Sequence, residues 1–549
     1  MAVDGKRTPS EAVPDGAIDP HDEALDTVNA SPDESGLATA VASGARWSMM
    51  GNIISRAGTF LVGIVVANLV SPDQLGVFAI AMMVGQMTLT FADMGLGADL
   101  VRSDDETLRR KIPTTASLGL LFCGVGTLLI VALANPLSRG LGVPESAPLI
   151  RVYALSVLLS GISLVPYSIL LRNIDQQKLF VLNMVNFVVS NSLSLLLLLT
   201  TSMGVMALPI GAVIGQACQI SLMYVYTRWR PTFGLERELV RPVLGFGAPV
   251  AGSNLLQVLL TNVDRIVVAP LQGKVALGNY TLASNISNWP VSVLGIVVRS
   301  IALPAFSRSD PRKGDPALTL GASITWMASL PIGVMLAVMS HQVILFLYKP
   351  AYLPAVSLLA IIGMYGAIRV IFDTFTGYLF ARGDSRGVLC ANLAWTAALF
   401  AVTFVATKSW GTHGAAYAQI ATALVVAMPI FLWAVHRAGA RVADVLGAMV
   451  PTALACLPAA AACWLMVNAL ERAHLVSNLR LRSFLELCVG SLVFLAIYAP
   501  LVLRRLKRQV AVMRSGEEIV DGGVAADAAD AQPEDEPVVS AAPRRARLD

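Results

Sequence analysis

Charged residues are scarce in this chain. Only 14% of its 549 residues are Asp, Glu, Lys or Arg, whereas an ordinary soluble domain has about 25%. Hydrophobic residues make up 55% of the chain, and its mean hydropathy is +0.67. This composition excludes an ordinary soluble domain and indicates a membrane protein.

Residues that build reactive centres are equally sparse. All six cysteines lie in apolar stretches without CxxC spacing, the five histidines are scattered, and no GxxxxGK[ST] motif occurs. Zinc sites and P-loop nucleotide sites need those residues at defined spacings. We therefore expect no metal site, no catalytic residues, no cofactor and no nucleic-acid partner.

Long apolar stretches fill the middle of the chain. About 20 apolar residues cross the ~30 Å hydrocarbon core of a bilayer as a helix. Fourteen such stretches are centred near residues 58, 86, 124, 159, 190, 214, 255, 288, 330, 366, 397, 423, 457 and 492. Helices satisfy every backbone group within lipid. The expected fold class is all-α, a polytopic membrane protein with about 14 transmembrane helices.

The two ends differ in kind from the apolar middle. Residues 1–40 and 516–549 each carry nine Asp or Glu with few basic residues, a composition typical of disordered, solvated tails. A signal peptide would have a basic start followed at once by an apolar run, and this pattern is not seen at the start of this sequence. Lys and Arg concentrate on the connections of one side, such as Arg109–Lys111 and Arg228–Arg230. The positive-inside rule then places both termini in the cytoplasm.

An internal repeat divides the apolar region. A shift of 202 residues places IVVANLVSPDQLGVFAIA (64–81) on IVVAPLQGKVALGNYTLA (266–283), and a shift of 209 joins LLRNIDQQ (170–177) to LFARGDSR (379–386). Six spans separate the copies, so the halves are predicted to be parallel repeats about an axis along the membrane normal.

The repeat sets the expected domain organisation. The predicted segments are an acidic tail at 1–40, six-helix bundles at 41–230 and 231–440, two further transmembrane helices at 441–503, and a basic then acidic tail at 504–549.

The first and seventh spans each carry a polar face. On a helix, Asn254, Gln257, Thr261, Asp264 and Arg265 fall within an arc of about 100°. A similar arc on the first span holds Ser48, Asn52, Ser55, Arg56 and Thr59. Charges facing lipid are costly, so one interpretation is that these faces line a water-filled cavity. The other is that Asp264 and Arg265 lock the helix to another span.

The tenth span has a second pair of charges. Arg369 and Asp373 are four residues apart and therefore lie on the same side of a helix. A mutual ion pair and a place in the cavity wall both fit this spacing.

These residues carry a family resemblance. The stretch 44–102, with LVSPDQLGVF (69–78) and ADMGLGADLVR (92–102), resembles the start of the polysaccharide transporter (Wzx-type oligosaccharide flippase) branch of the multidrug/oligosaccharidyl-lipid/polysaccharide exporter superfamily. The stretch NVDRIVVAPLQGKVALGNYTLA (262–283) is similar to that family's seventh and eighth helices.

The resemblance implies two six-helix bundles around a central V-shaped cavity that moves a polyprenyl-pyrophosphate-linked oligosaccharide from the inner to the outer leaflet by alternating access. It implies the bacterial inner membrane, with membrane lipids and a polysaccharide polymerase and chain-length regulator as partners. Arginine binds phosphate in a fixed fork. The expected substrate-binding residues are Arg56, Arg265, Arg369, Asn52, Asn254, Gln257 and Thr261. Asp264 and Asp373 are candidates for a coupling proton or sodium ion.

Two alternatives remain open from the sequence. A ligase or polymerase that acts on a lipid-linked glycan would be an enzyme, but such enzymes usually have a sizeable outer loop, which this chain lacks. A cation-coupled small-molecule exporter of the same superfamily would share the repeat. Its cavity is expected to favour carboxylates and aromatics rather than arginines.

Overall fold

Helices make up the fold. The computed structural model describes residues 34–93, 95–103, 105–307, 316–473 and 477–502, and among these residues there is no strand. The long helices are α1 Glu34–Leu69, α2 Pro72–Asp93, α3 Asp105–Gly140, α4 Ala147–Arg172, α5 Gln176–Thr200, α6 Ala207–Thr227, α7 and α8 within Arg237–Ser307, α9 Pro316–Val338, α10 Ala355–Ala381, α11 and α12 within 385–437, α13 Val442–Ala473 and α14 Leu479–Val502.

Two glycines divide the merged helices. Gly273 has φ 78° and ψ 178°, and Gly411 has φ 61° and ψ −144°, conformations that glycine adopts at little cost. We therefore number α7 as 237–272, α8 as 274–307, α11 as 385–410 and α12 as 412–437. Within α12, Ala423–Ala427 form a π-helical segment.

The described residues contain eleven helical stretches that are long and apolar enough to cross a membrane. Two of these stretches, Arg237–Gly295 and Ser385–Arg437, contain the paired helices α7–α8 and α11–α12. The all-α, polytopic membrane class predicted from the sequence is confirmed.

A side-chain to backbone hydrogen bond marks the start of α2, within the SPDQ turn of the repeat. Pro72 is the first helical residue, and the Ser71 backbone N–H donates to Gln74 Oε1 at 3.2 Å. A glutamine three residues after the serine can satisfy the serine N–H in this way, as in half of a capping box. This local chemistry ends α1 and reverses the chain.

The largest buried cluster lies at the seam between the two halves. It joins α2 residues such as Ile80 and Met83 to α8 residues such as Tyr280 and Ala283. The two trailing helices form a separate cluster on α9, in which Cys463 and Phe494 are fully buried. The seam therefore holds the halves together, and α13 and α14 lie outside it.

The predicted segment boundaries at 40 and 230 fall within the described residues. The link between halves, 228–236, contains the predicted boundary at 230, which stays a prediction. α1 begins at Glu34, inside the segment predicted to be a tail. The rest of the amino-terminal tail and the carboxyl-terminal tail lie outside the described residues.

Candidate functional site: a polar cluster on α7 and the exposed faces of α1 and α7

Asp264 is buried in the interface between α7 and α12. Its side chain is 5% exposed. Oδ1 accepts a hydrogen bond from the Arg265 backbone N–H at 2.9 Å, and Oδ2 accepts one from Gln419 Nε2 at 3.0 Å. The Tyr280 hydroxyl of α8 lies beside the carboxylate, outside hydrogen-bond geometry. Three helices therefore surround one acid.

Arg265 points to a different set of neighbours. Its guanidinium Nη1 donates to Asn262 Oδ1 at 3.0 Å, and Asn262 Nδ2 donates in turn to the Val258 carbonyl at 2.9 Å. Asn262 is buried and Arg265 is half-buried. The Nε atom of Arg265 is buried and has no hydrogen-bond partner among the described residues. One edge of the fork is thus fixed by the helix itself.

The tenth span brings further polar groups to the same region. Tyr365 of α10 is buried, and both Arg369 and Asp264 are close enough to act electrostatically on its hydroxyl. Arg369 and Asp373 are half-buried. A mutual ion pair and a place in the cavity wall both stay predictions for these two residues.

The middle of α7 carries polar side chains on the protein surface. Asn254 and Gln257 are exposed, and Thr261 is half-buried. The Thr261 hydroxyl donates to the Gln257 and Val258 carbonyls at 3.1 and 3.0 Å. These amides and this hydroxyl follow one face of α7, which leads to Asp264 and Arg265.

The first span carries the matching face in the other half. Asn52 and Arg56 are exposed. The Arg56 carbonyl accepts a hydrogen bond from Trp289 Nε1 of α8 at 3.2 Å, and the Trp289 ring stacks on Phe60 with 4.9 Å between centroids. The second half therefore fixes the α1 backbone at Arg56.

The structure groups Asp264, Arg265 and Arg369 around the α7–α10 contact and leaves Asn52 and Arg56 on a separate face. The sequence interpretation did not include Gln419, Asn262 or Trp289. A lone glutamine within the apolar α12 run was the available signal for Gln419. Among the described residues, no three His, Cys, Asp or Glu side chains lie close enough to hold a metal ion.

The fold matches that of known transporters. The lipid II flippase MurJ, in an inward closed conformation, superposes with a TM-score of 0.66 at 16% identity, over 85% of this chain and 99% of MurJ. An inward-facing multidrug resistance MATE family transporter of the MOP superfamily gives a TM-score of 0.59 at 16% identity, over 72% of this chain and 98% of that protein. The chain thus has the same fold as these two solved structures.

Two proteins of polysaccharide biosynthesis are similar to this chain in sequence. The succinoglycan biosynthesis transport protein ExoT of Rhizobium meliloti (strain 1021) is 24% identical over 70% of this chain and 79% of its own length. The lipopolysaccharide biosynthesis protein WzxC of Escherichia coli (strain K12) is 21% identical over 62% of this chain and 70% of its own length.

A profile of the polysaccharide biosynthesis protein family matches residues 65–357, which is more than half of the chain. The chain belongs to this family, and the resemblance seen in residues 44–102 and 262–283 is confirmed.

Proposed function

We propose that the protein flips a polyprenyl-pyrophosphate-linked oligosaccharide from the inner to the outer leaflet. The observation that carries the proposal is the pair of exposed polar faces on α1 and α7, one in each half, within helices that are apolar enough to cross a membrane. An arginine in lipid costs at least about 2.5–3.5 kcal/mol, so such faces belong in water. The family membership and the transport and flippase names of the relatives support the same function.

The arginines bind the pyrophosphate in this proposal. Arg56 is exposed, and Arg265 and Arg369 are half-buried, so none of the three residues is fully buried. The guanidinium fork matches two phosphate oxygens at once. The amides of Asn52, Asn254 and Gln257 and the hydroxyl of Thr261 bind sugar hydroxyls or the water around them.

A proton or a sodium ion drives the cycle at Asp264. This carboxylate is buried beside the Tyr280 hydroxyl, and Gln419 Oε1 has no hydrogen-bond partner among the described residues. An intramembrane acid is a functional hypothesis by default. The π-helical segment that follows Thr422 in α12 is of a kind often found at functional sites. Asp373 is the second coupling candidate.

The membrane setting follows from the proposed substrate. A lipid-linked repeat unit made in the cytoplasm needs a multi-pass protein in the bacterial inner membrane, and the distribution of Lys and Arg supports cytoplasmic termini. Membrane lipids surround it. A polysaccharide polymerase and a chain-length regulator are the protein partners that would use the flipped product.

Flipping can be measured in proteoliposomes that contain the purified protein and a polyprenyl-pyrophosphate oligosaccharide. A membrane-impermeant glycosidase added outside removes sugar only from molecules in the outer leaflet. We expect the accessible fraction to rise beyond the initial outer-leaflet share, and to rise faster with an imposed proton or sodium gradient. An accessible fraction equal to that of protein-free vesicles would contradict the proposal.

The same vesicles test the alternatives. MATE transporters share the fold, so efflux of a cationic dye is measured in parallel. Dye efflux without glycan flipping would favour the small-molecule exporter. A covalent change in the glycan, seen by mass spectrometry, would favour a ligase or polymerase.

A further inference from the structure

Two glycines bring the backbones of α2 and α8 into direct contact at the outer end, which we define as the end where α1 and α7 finish. A Cβ atom on Gly76 would lie 2.0 Å from the Lys274 carbonyl oxygen, and one on Gly278 would lie 1.8 Å from the Pro72 carbonyl oxygen. Real Cβ atoms essentially never come within 3.0 Å of another heavy atom. Each position therefore accepts only glycine while the two helices stay together.

The contact obeys the internal repeat. The shift of 202 residues that relates the halves places Gly76 on Gly278 and Pro72 on Lys274. The two close approaches are thus the same contact made twice, as in an isologous interface. Such a contact lies on the pseudo-two-fold axis, where the halves meet.

The neighbouring outer turns repeat the arrangement. Asn68 Nδ2 at the end of α1 donates to the Leu347 carbonyl in the second half at 2.6 Å. A Cβ on Gly142, in the outer turn of the first half, would lie 3.0 Å from Pro270 Cα at the end of α7. Each half therefore covers the end of the other half's leading helix.

One ion pair spans the same seam. Lys274 Nζ of α8 donates to Glu145 Oε1 of the first half at 2.7 Å, with 37% and 55% of the two side chains exposed. Exposed pairs contribute little to stability. This pair can bias the seam toward closure, whereas the packed glycines decide whether closure is possible.

The contact at the outer end is some distance along α1 from the exposed polar side chains. Arg56 and Asn52 precede Leu69 by 13 and 17 residues, which is about 20–25 Å at 1.5 Å per residue. The halves thus touch at the outer end, and farther along α1 the second half contacts the Arg56 carbonyl through Trp289, while the Asn52 and Arg56 side chains stay exposed. We propose that Gly76 and Gly278 form the outer gate of the transport cavity, and that Glu145 and Lys274 are a latch that favours its closed state. The proposal rests on the proposed transport function.

The gate predicts opposite movements at the two ends of the molecule. Spin labels at Met203 and Trp410, exposed outer positions of the two halves, report the outer distance in nanodiscs by pulsed electron resonance. Labels at Gln177 and Arg386, exposed positions paired by the 209 shift, report the inner distance. Labelling uses a background in which the native cysteines are replaced by alanine.

Gly76→Ala and Gly278→Ala should each lengthen the outer distance and shorten the inner one. We expect the outward-open population to rise by roughly tenfold, within the usual range of conformational coupling. Gly63→Ala is the matched control, because a Cβ there meets nothing within 4 Å. Distributions equal to those of Gly63→Ala, or both distances lengthening together, would overturn the gate.

The latch gives a second test that does not depend on tight packing. Lys274→Glu should raise the outward-open population several-fold through repulsion from Glu145, and adding Glu145→Lys should reverse the change. Failure of the reversal would remove the latch from the proposal. All distances are measured without substrate, so a gate that moves in a protein that flips no glycan would contradict the proposed function alone.

Discussion

Asp264 and Arg265 are adjacent in the chain and have different neighbours. The acid is bound by Gln419 of α12, while the guanidinium is bound by Asn262 one turn back on α7. Breaking a buried ion pair by removing one partner is strongly destabilising, by about 3–5 kcal/mol. The observed bonds predict a milder cost for Arg265, because its hydrogen-bond partner is the amide oxygen of Asn262 and not a carboxylate.

Arg265→Ala should therefore keep the protein folded while it lowers export. Loss of a charge-assisted hydrogen bond to phosphate, about 1.5–3 kcal/mol, corresponds to a loss of transport on the order of tenfold to a hundredfold. Arg265→Lys should restore only part of the rate, because a point charge replaces the fork. The measurements are membrane abundance, melting temperature and the rate of glycan flipping.

Asp264→Asn is the informative companion. The Gln419 amide can reverse to accept from the new side chain, so we expect normal abundance and an altered dependence on pH or sodium. If the double replacement of Asp264 and Arg265 recovered the export that either single change had lost, the substrate-binding role of Arg265 would be wrong.

Asn262 is predicted to position Arg265. Asn262→Ala removes the acceptor that fixes Nη1, so the KM for the lipid-linked glycan should rise several-fold with little change in kcat. In an Arg265→Ala background the same change should have almost no further effect, because contacting residues are not additive. Equal effects in both backgrounds would mean that Asn262 acts on the helix packing instead.

Only some of these side-chain contacts could be predicted from the sequence. Helical periodicity placed Asp264 and Arg265 in one arc of about 100°, which is too coarse to separate a buried acid from a half-buried cation. The buried partner Gln419 is 155 residues away. Local pattern contains no information about which apolar helix would supply it.

At the scale of single elements, the turns after α4 and α10 are equivalent. The weaker repeat, at 209 residues, places Ile174 on Gly383, and both residues are left-handed, with φ 56° and 77°. The two turns thus share a backbone conformation although few of their residues are identical. Ile174 is the less expected of the two residues, because a β-branched residue at positive φ is a genuine outlier.

Ile174→Gly should stabilise the protein. An L-residue in the left-handed region costs about 1–2 kcal/mol, and replacing it by glycine removes this cost. The greater freedom of glycine in the unfolded chain cancels part of the resulting stabilisation. The matched change is Gly383→Ala, which has no atom within 4 Å of its new Cβ and so tests backbone strain alone.

Thermal unfolding in detergent measures both variants. We expect the melting temperature to rise for Ile174→Gly and to fall for Gly383→Ala. Opposite signs at equivalent turns are the expected result, and a fall in both would show that the Ile174 side chain packs in a way that outweighs its strain.

For the whole molecule, the sequence predicted the number of long helices and the parallel repeat because both follow from local hydropathy and internal similarity. It did not predict that the largest buried cluster would lie between α2 and α8. Helix pairing across the seam depends on small residues that allow close approach, and many glycines elsewhere in the chain make no such contact.

The orientation of the whole molecule can be tested on a single helix. Gln177 lies in the first turn of α5, Met203 lies three residues beyond its end, and both are exposed, so cysteines at these positions should be equally reactive in detergent. The positive-inside rule places Gln177 in the cytoplasm and Met203 outside.

In intact cells, an impermeant thiol reagent should therefore label Met203→Cys and not Gln177→Cys, and lysis should make the two equal. A cysteine-free parent is the control, since Cys218, Cys390 and Cys488 are exposed. The reverse pattern would invert the molecule. The seam that closes at Gly76 and Gly278 would then face the cytoplasm, and the exposed faces of α1 and α7 would receive their ligand from outside, as uptake rather than export requires.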